Sequence, residues 1–172
     1  GSALGSGAVT VYPGAALRIA SNGSLGGQGA GELRLNANIN SLPALVLDTD
    51  YNPGSALNTK LVASGGFEGA LQLAVPAFSS SLDMMNFGDG TMFLGSYLPN
   101  AEVLYLGSTL GVGAGNTYRL GGNNGNNLAF AGADNVLTGT ASVVIGSPLS
   151  NIDASAGGNR GGVVILRNSN DY

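Results

Sequence analysis

Apolar residues recur at every second position in short runs along most of this chain. The first half carries "VTVYPG" (Val9 to Gly14), "LRIASNG" (Leu17 to Gly23), "LRLNANIN" (Leu33 to Asn40), "LVLDTD" (Leu45 to Asp50) and "LQLAVP" (Leu71 to Pro76). The pattern resumes with "MFLGS" (Met92 to Ser96), "VLYLGS" (Val103 to Ser108), "YRLGG" (Tyr118 to Gly122) and "LAF" (Leu128 to Phe130). It ends with "SVVIGS" (Ser142 to Ser147) and "VVIL" (Val163 to Leu166). A period of two is the signature of a strand with one buried face. Gly, Asn, Ser and Pro fall between the runs and break any helical stretch, so the expected class is all-β. The inward phase assigns Leu33, Leu35, Leu45, Leu47, Leu71, Leu73, Val143, Ile145, Val164 and Leu166 to one shared core.

Two architectures accommodate such a string, a β-sandwich built from hairpins and a β-solenoid whose coils stack on one another. Composition decides between them. Only 9% of the 172 residues are charged, 44% are apolar and 30 are glycine. A sandwich normally solvates one face of each sheet with charged side chains. In a solenoid, equivalent positions lie above one another at about 4.8 Å. Like charges would repel in such columns, whereas Asn, Ser and Thr form ladders. The expectation is therefore a parallel β-helix (β-solenoid), with the β-sandwich as the alternative. At about 20 to 25 residues per coil the chain would make about seven or eight coils.

The remaining composition narrows function by exclusion. Six basic and ten acidic residues provide no basic stripe for phosphates, so nucleic acid is not an expected partner. The chain has neither cysteine nor histidine, which removes disulfides, thiolate sites and the usual zinc ligands. No apolar run reaches membrane-spanning length.

Three segments carry a family resemblance, in order: "NTYRLGGNNGNNLAF" (Asn116 to Phe130), "NVLTGTASVVIGS" (Asn135 to Ser147) and "GGVVILRNSNDY" (Gly161 to Tyr172). They resemble the passenger regions of bacterial proteins with autotransporter-associated β-strand repeats. Gly162, Val164, Leu166, Asn170 and Tyr172 match the start of the repeat, Asp171 replaces the usual Thr, and the Thr-Gly-Gly-Thr half does not follow. The resemblance implies a right-handed parallel β-helix (β-solenoid), a single exported segment over residues 1–172, part of a longer protein or a polymerising subunit, at the cell surface or outside the cell. It implies a stalk, fibre subunit or adhesin segment and no particular activity.

Two places are candidates for chemistry. "DTDYNPG" sets Asp48, Asp50 and Asn52 at alternate positions, the oxygen-rich start of a calcium loop. Pro53 stands where an EF-hand needs glycine and Thr59 where it needs a bidentate Glu, so the principal reading is a structural turn, with calcium as the candidate ligand. Asp48 and Asp50 could also serve as the carboxylate pair of a glycosidase. A carbohydrate-binding or carbohydrate-cleaving β-helix, with surface glycans as partners, is accordingly the alternative to a non-catalytic scaffold. Exposed Tyr or Phe beside the acids would favour it. The methionine- and phenylalanine-rich stretch around Met84, Met85, Phe78, Phe87 and Phe93 is expected to pack as core. The second candidate is an assembly edge, Val163, Val164, Ile165 and Leu166. Its unpaired strand would receive further coils of a longer chain or another copy stacked end to end, with Val9 to Val11 as the head-to-tail partner.

Overall fold

The computed structural model describes residues 7–21, 31–36, 42–54, 57, 61–62, 69–121, 126–146 and 162–171. Among the described residues fifteen strands appear in chain order: β1 (Val9–Val11), β2 (Ala16–Ile19), β3 (Leu33–Leu35), β4 (Ala44–Leu47), β5 (Leu61–Val62), β6 (Ala70–Leu73), β7 (Ala77–Phe78) and β8 (Leu82–Asp83). After a 3-10 turn at Met84–Asn86 come β9 (Phe93–Ser96), β10 (Glu102–Tyr105), β11 (Leu110–Gly111), β12 (Thr117–Leu120), β13 (Asn127–Phe130), β14 (Ser142–Ile145) and β15 (Val163–Leu166). All eleven alternating runs of the sequence contain a strand. The four that the pattern did not reveal, β5, β7, β8 and β11, are two residues long, too short to show a period.

Every pairing between these strands is parallel. They form four sheets, ordered β1-β3-β5, β2-β4-β6-β9-β12-β14, β7-β10-β13-β15 and β8-β11. Parallel neighbours cannot be joined by hairpins, so the sandwich is ruled out and the molecule is a β-solenoid. Along the tallest sheet, register runs from Leu17 to Leu45, Leu71, Leu94, Leu120 and Ile145, giving steps of 28, 26, 23, 26 and 25 residues. These steps are mostly longer than the 20 to 25 residues expected. The tallest stack accordingly holds six strands.

The core is a set of apolar columns made by that register. Leu33, Leu35, Leu45, Leu47, Leu71 and Leu73 are fully buried, as the strand phase predicts. In a second column Phe78, Tyr105 and Phe130 lie above one another, with ring centroids 6.0 and 5.3 Å apart. The Tyr105 hydroxyl accepts from Leu82 N (2.9 Å) and donates to Thr109 O (2.7 Å), which lets a phenol occupy the interior. Phe78, Phe87, Met84 and Phe93 are buried as expected, and Met92 is buried too; Met85, expected in the core, is exposed. The outward positions Ala44, Val46, Ala70, Gln72 and Phe93 of the tallest sheet are buried as well, so its middle strands are covered on both faces.

Candidate functional site: the polar corner and the end coil

The turn after β4 places Asp48, Asp50 and Asn52 along one corner of the solenoid, and each reaches a neighbouring coil. Arg18, at the outward phase of β2, donates to both Asp48 oxygens, from Nε at 2.7 Å and from Nη2. Its guanidinium also lies 5.5 Å from the Tyr97 ring centroid. Asp50 points to the next coil, where Oδ1 accepts from Ser79 N (2.9 Å) and Ser80 N (3.0 Å) and Oδ2 accepts from the Ser79 hydroxyl. Burial alone would push the Asp50 carboxyl up; the hydrogen bonds from Ser79 and Ser80 outweigh it and hold the group below the usual carboxylate value. Asn52 donates from Nδ2 to Ser81 O (2.7 Å) and accepts from Gly54 N (2.8 Å). Ser81 passes the chain of contacts upward through the Ser108 hydroxyl (3.2 Å) and Thr109 N (3.3 Å).

The same device recurs near the other end. Asn168 donates to Gly132 O (2.7 Å), Asp134 accepts from Ser169 N (3.2 Å) and Asn170 accepts from Leu137 N (2.9 Å). Glu102 and Arg167, 65 residues apart, form an ion pair along the stack. The corner is therefore a seam of inter-coil hydrogen bonds. Asp48 and Asp50 do not converge on a common point: one faces the preceding coil and the other the following coil. Among the described residues no three of His, Cys, Asp and Glu gather where they could hold a metal ion.

An open groove of about 500 Å³ runs beside the seam, lined by Asn52, Ser81, Asp83, Thr109, Tyr118 and Thr138 among others. Asp83 is occupied in capping the 3-10 turn, accepting from Met85 N (3.1 Å) and Asn86 Nδ2 (3.3 Å). Tyr118 is buried, its hydroxyl accepting from Thr138 N (3.0 Å) and donating to Thr138 O. Among the described residues no exposed aromatic ring lines the groove.

The proposed edge lies on β15, which pairs with β13 on one side, and β14 is the corresponding last strand of the tallest sheet. Phe130 registers with Leu166 and Leu120 with Ile145. Phe130 and Leu120 are 2% and 1% exposed, whereas Leu166 and Ile145 are 40% and 60% exposed. Val143 and Val164 are partly buried against the core. The four share the inward phase with the buried columns; the coil they belong to has a neighbour on one side among the described residues. At the opposite end Val11 is 5% exposed and Ile19 1%, while Val9 and Leu17 on the same inward phase are partly buried.

Sequence reasoning did not single out Arg18, Ser79, Ser80 or Ser81. The signal was present as spacing: the contacts Arg18 to Asp48, Asp50 to Ser79, Asn52 to Ser81 and Ser81 to Ser108 span 30, 29, 29 and 27 residues, close to one coil each. It also missed Ser96, whose buried hydroxyl has no hydrogen-bond partner among the described residues. Among the described residues no helix is long and apolar enough to cross a membrane. Compared with family models, with curated proteins and with solved structures, the chain finds no match in any of the three.

Proposed function

We propose that this chain is a non-catalytic β-solenoid scaffold, a stalk, fibre or adhesin segment of a bacterial protein at the cell surface or outside the cell. The observation that carries this reading is the use to which its acids are put. Among the described acids, Asp48, Asp50, Glu102 and Asp134 accept hydrogen bonds from other coils, and Glu32, Asp83 and Asp89 accept from the residue two positions along. A general acid or nucleophile needs a carboxyl turned toward a substrate. The aromatic rings support the same reading, since four of the phenylalanines, Tyr105 and Tyr118 lie in the interior and Tyr12 is the strongly exposed ring among the described residues. The surface setting rests on the resemblance of Asn116 to Tyr172 to passenger repeats.

Titration calorimetry and reducing-end assays against a panel of neutral and acidic polysaccharides test the reading. Neither saturable heat nor cleavage is expected. Binding or cleavage that disappears in Asp50→Asn while the fold is kept would transfer the chain to the carbohydrate-acting class.

A further inference from the structure

Met84, Met85 and Met92 are the methionines of a chain that has no cysteine, histidine or tryptophan, so their thioethers are its most readily oxidised groups. Met84 and Met92 lie in the core, 2% and 1% exposed, whereas Met85 is 48% exposed. The 3-10 turn is responsible: Asp83 accepts from Met85 N (3.1 Å) and turns the chain so that Met84 enters the core and Met85 does not. The Met85 sulfur lies against Gly90. A Cβ on Gly90, whose φ is +80°, would fall 2.8 Å from Sδ and 2.7 Å from Ala114 N, so sulfur and amide flank one point. That amide belongs to the next coil and donates to Gly90 O (2.9 Å). Arg119 Nη1 ties the same two residues together, donating to Gly90 O (3.3 Å) and Ala114 O (2.9 Å). Gly113 lets the coils approach, since a Cβ there would lie 2.2 Å from Gly90 O. A half-exposed thioether thus rests on a hydrogen-bonded joint between two coils.

We propose that Met85 is an oxidation site through which hydroperoxides loosen this joint. The sulfur lone pair attacks one oxygen of hydrogen peroxide. The O–O bond breaks, an S–O bond forms, and the other oxygen leaves with both protons as water. Sulfur loses two electrons and the peroxide gains them. The product is polar and chiral where the thioether was flexible and apolar. A thioether is a weak acceptor; the sulfoxide oxygen is a strong one, set beside the Ala114 N-H and in competition with Gly90 O for it. Met84 and Met92 are enclosed by the core and shielded from the oxidant, so the response is confined to one position. The inference concerns this side chain and the joint beneath it, and it holds whether or not the chain serves as a scaffold.

Treating the folded chain with hydrogen peroxide, and following the oxygen gained at each methionine by tandem mass spectrometry, measures the selectivity. Met85 should oxidise at least about tenfold faster than Met84 or Met92, because susceptibility follows exposure. Amide hydrogen exchange at Ala114 should then speed up severalfold and the thermal midpoint should fall. Both should return to their starting values after treatment with methionine sulfoxide reductases. Met85→Leu removes the sulfur at nearly constant size and should show neither change under the same peroxide. If Met85→Leu itself disturbs the fold, reversal by the reductases in the unmodified chain decides. Comparable oxidation rates at the three sulfurs overturn the proposal. So does a Met85 sulfoxide that leaves Ala114 exchange and the thermal midpoint where they were.

Discussion

Asp50 illustrates how single residues hold this molecule together. Its carboxylate satisfies two backbone N-H groups and a hydroxyl on the next coil, and protonation removes acceptor capacity that those donors need. Because its folded pKa lies below the unfolded value, its contribution is present above about pH 3.9 and is lost as pH falls through the folded pKa. Thermal melts between pH 7 and pH 2 should therefore show a stability loss at the acid end that is smaller in Asp50→Asn; equal slopes would remove Asp50 from the seam. Glycine acts at the same scale by leaving room. A Cβ on Gly95 would lie 2.2 Å from the carbonyl oxygen of Gly121 one coil on, whereas one on Gly7 would meet nothing within 4 Å. Gly95→Ala should destabilise by about 1–3 kcal/mol, the usual cost of overpacking, with Gly7→Ala as the control. Equal denaturation midpoints for the two would show that the coils can separate at no cost.

At the scale of the strand, position in the stack decides what the same side chain contributes. Leu71 and Leu166 both sit on the inward phase, but Leu71 has a strand above and below it and Leu166 has one neighbour. Truncating a fully buried leucine typically costs 2–5 kcal/mol, part of it for the cavity left behind. Leu71→Ala should cost about that much. Leu166→Ala removes a side chain that is 40% exposed and should cost about 1 kcal/mol or less. Chemical denaturation of the two variants measures the difference, and equal losses would mean that the end coil is covered in solution. Strand phase was thus legible from Leu33 to Leu73 and again at Val164. The exposure of Leu166 was not, because a period of two says which way a residue points and nothing about what lies beyond it.

The molecule is a column of similar coils in which strands pair with the strands above and below and share one core, so stability is shared mainly among neighbouring coils. Most of this was determined by sequence. Alternating short runs, few charges, abundant glycine and uncharged polar side chains leave parallel stacking as the arrangement in which equivalent positions neither repel nor collide. The ladders of leucine and the stacked Phe78, Tyr105 and Phe130 follow from that. Only the tertiary structure decided the register, because the coil step varies from 23 to 28 residues and no fixed period could be read along the chain. With the register came the partners: Arg18 for Asp48, Ser79 and Ser80 for Asp50, and Ser81 for Asn52. A triad that local spacing presents as one loop is divided between neighbouring coils. The inequality of the two ends likewise emerged only in three dimensions. Burial of Val11 and Ile19 and exposure of Ile145 and Leu166 depend on what packs across the stack, and residues that look alike in one dimension differ there because only some have a neighbour on both sides.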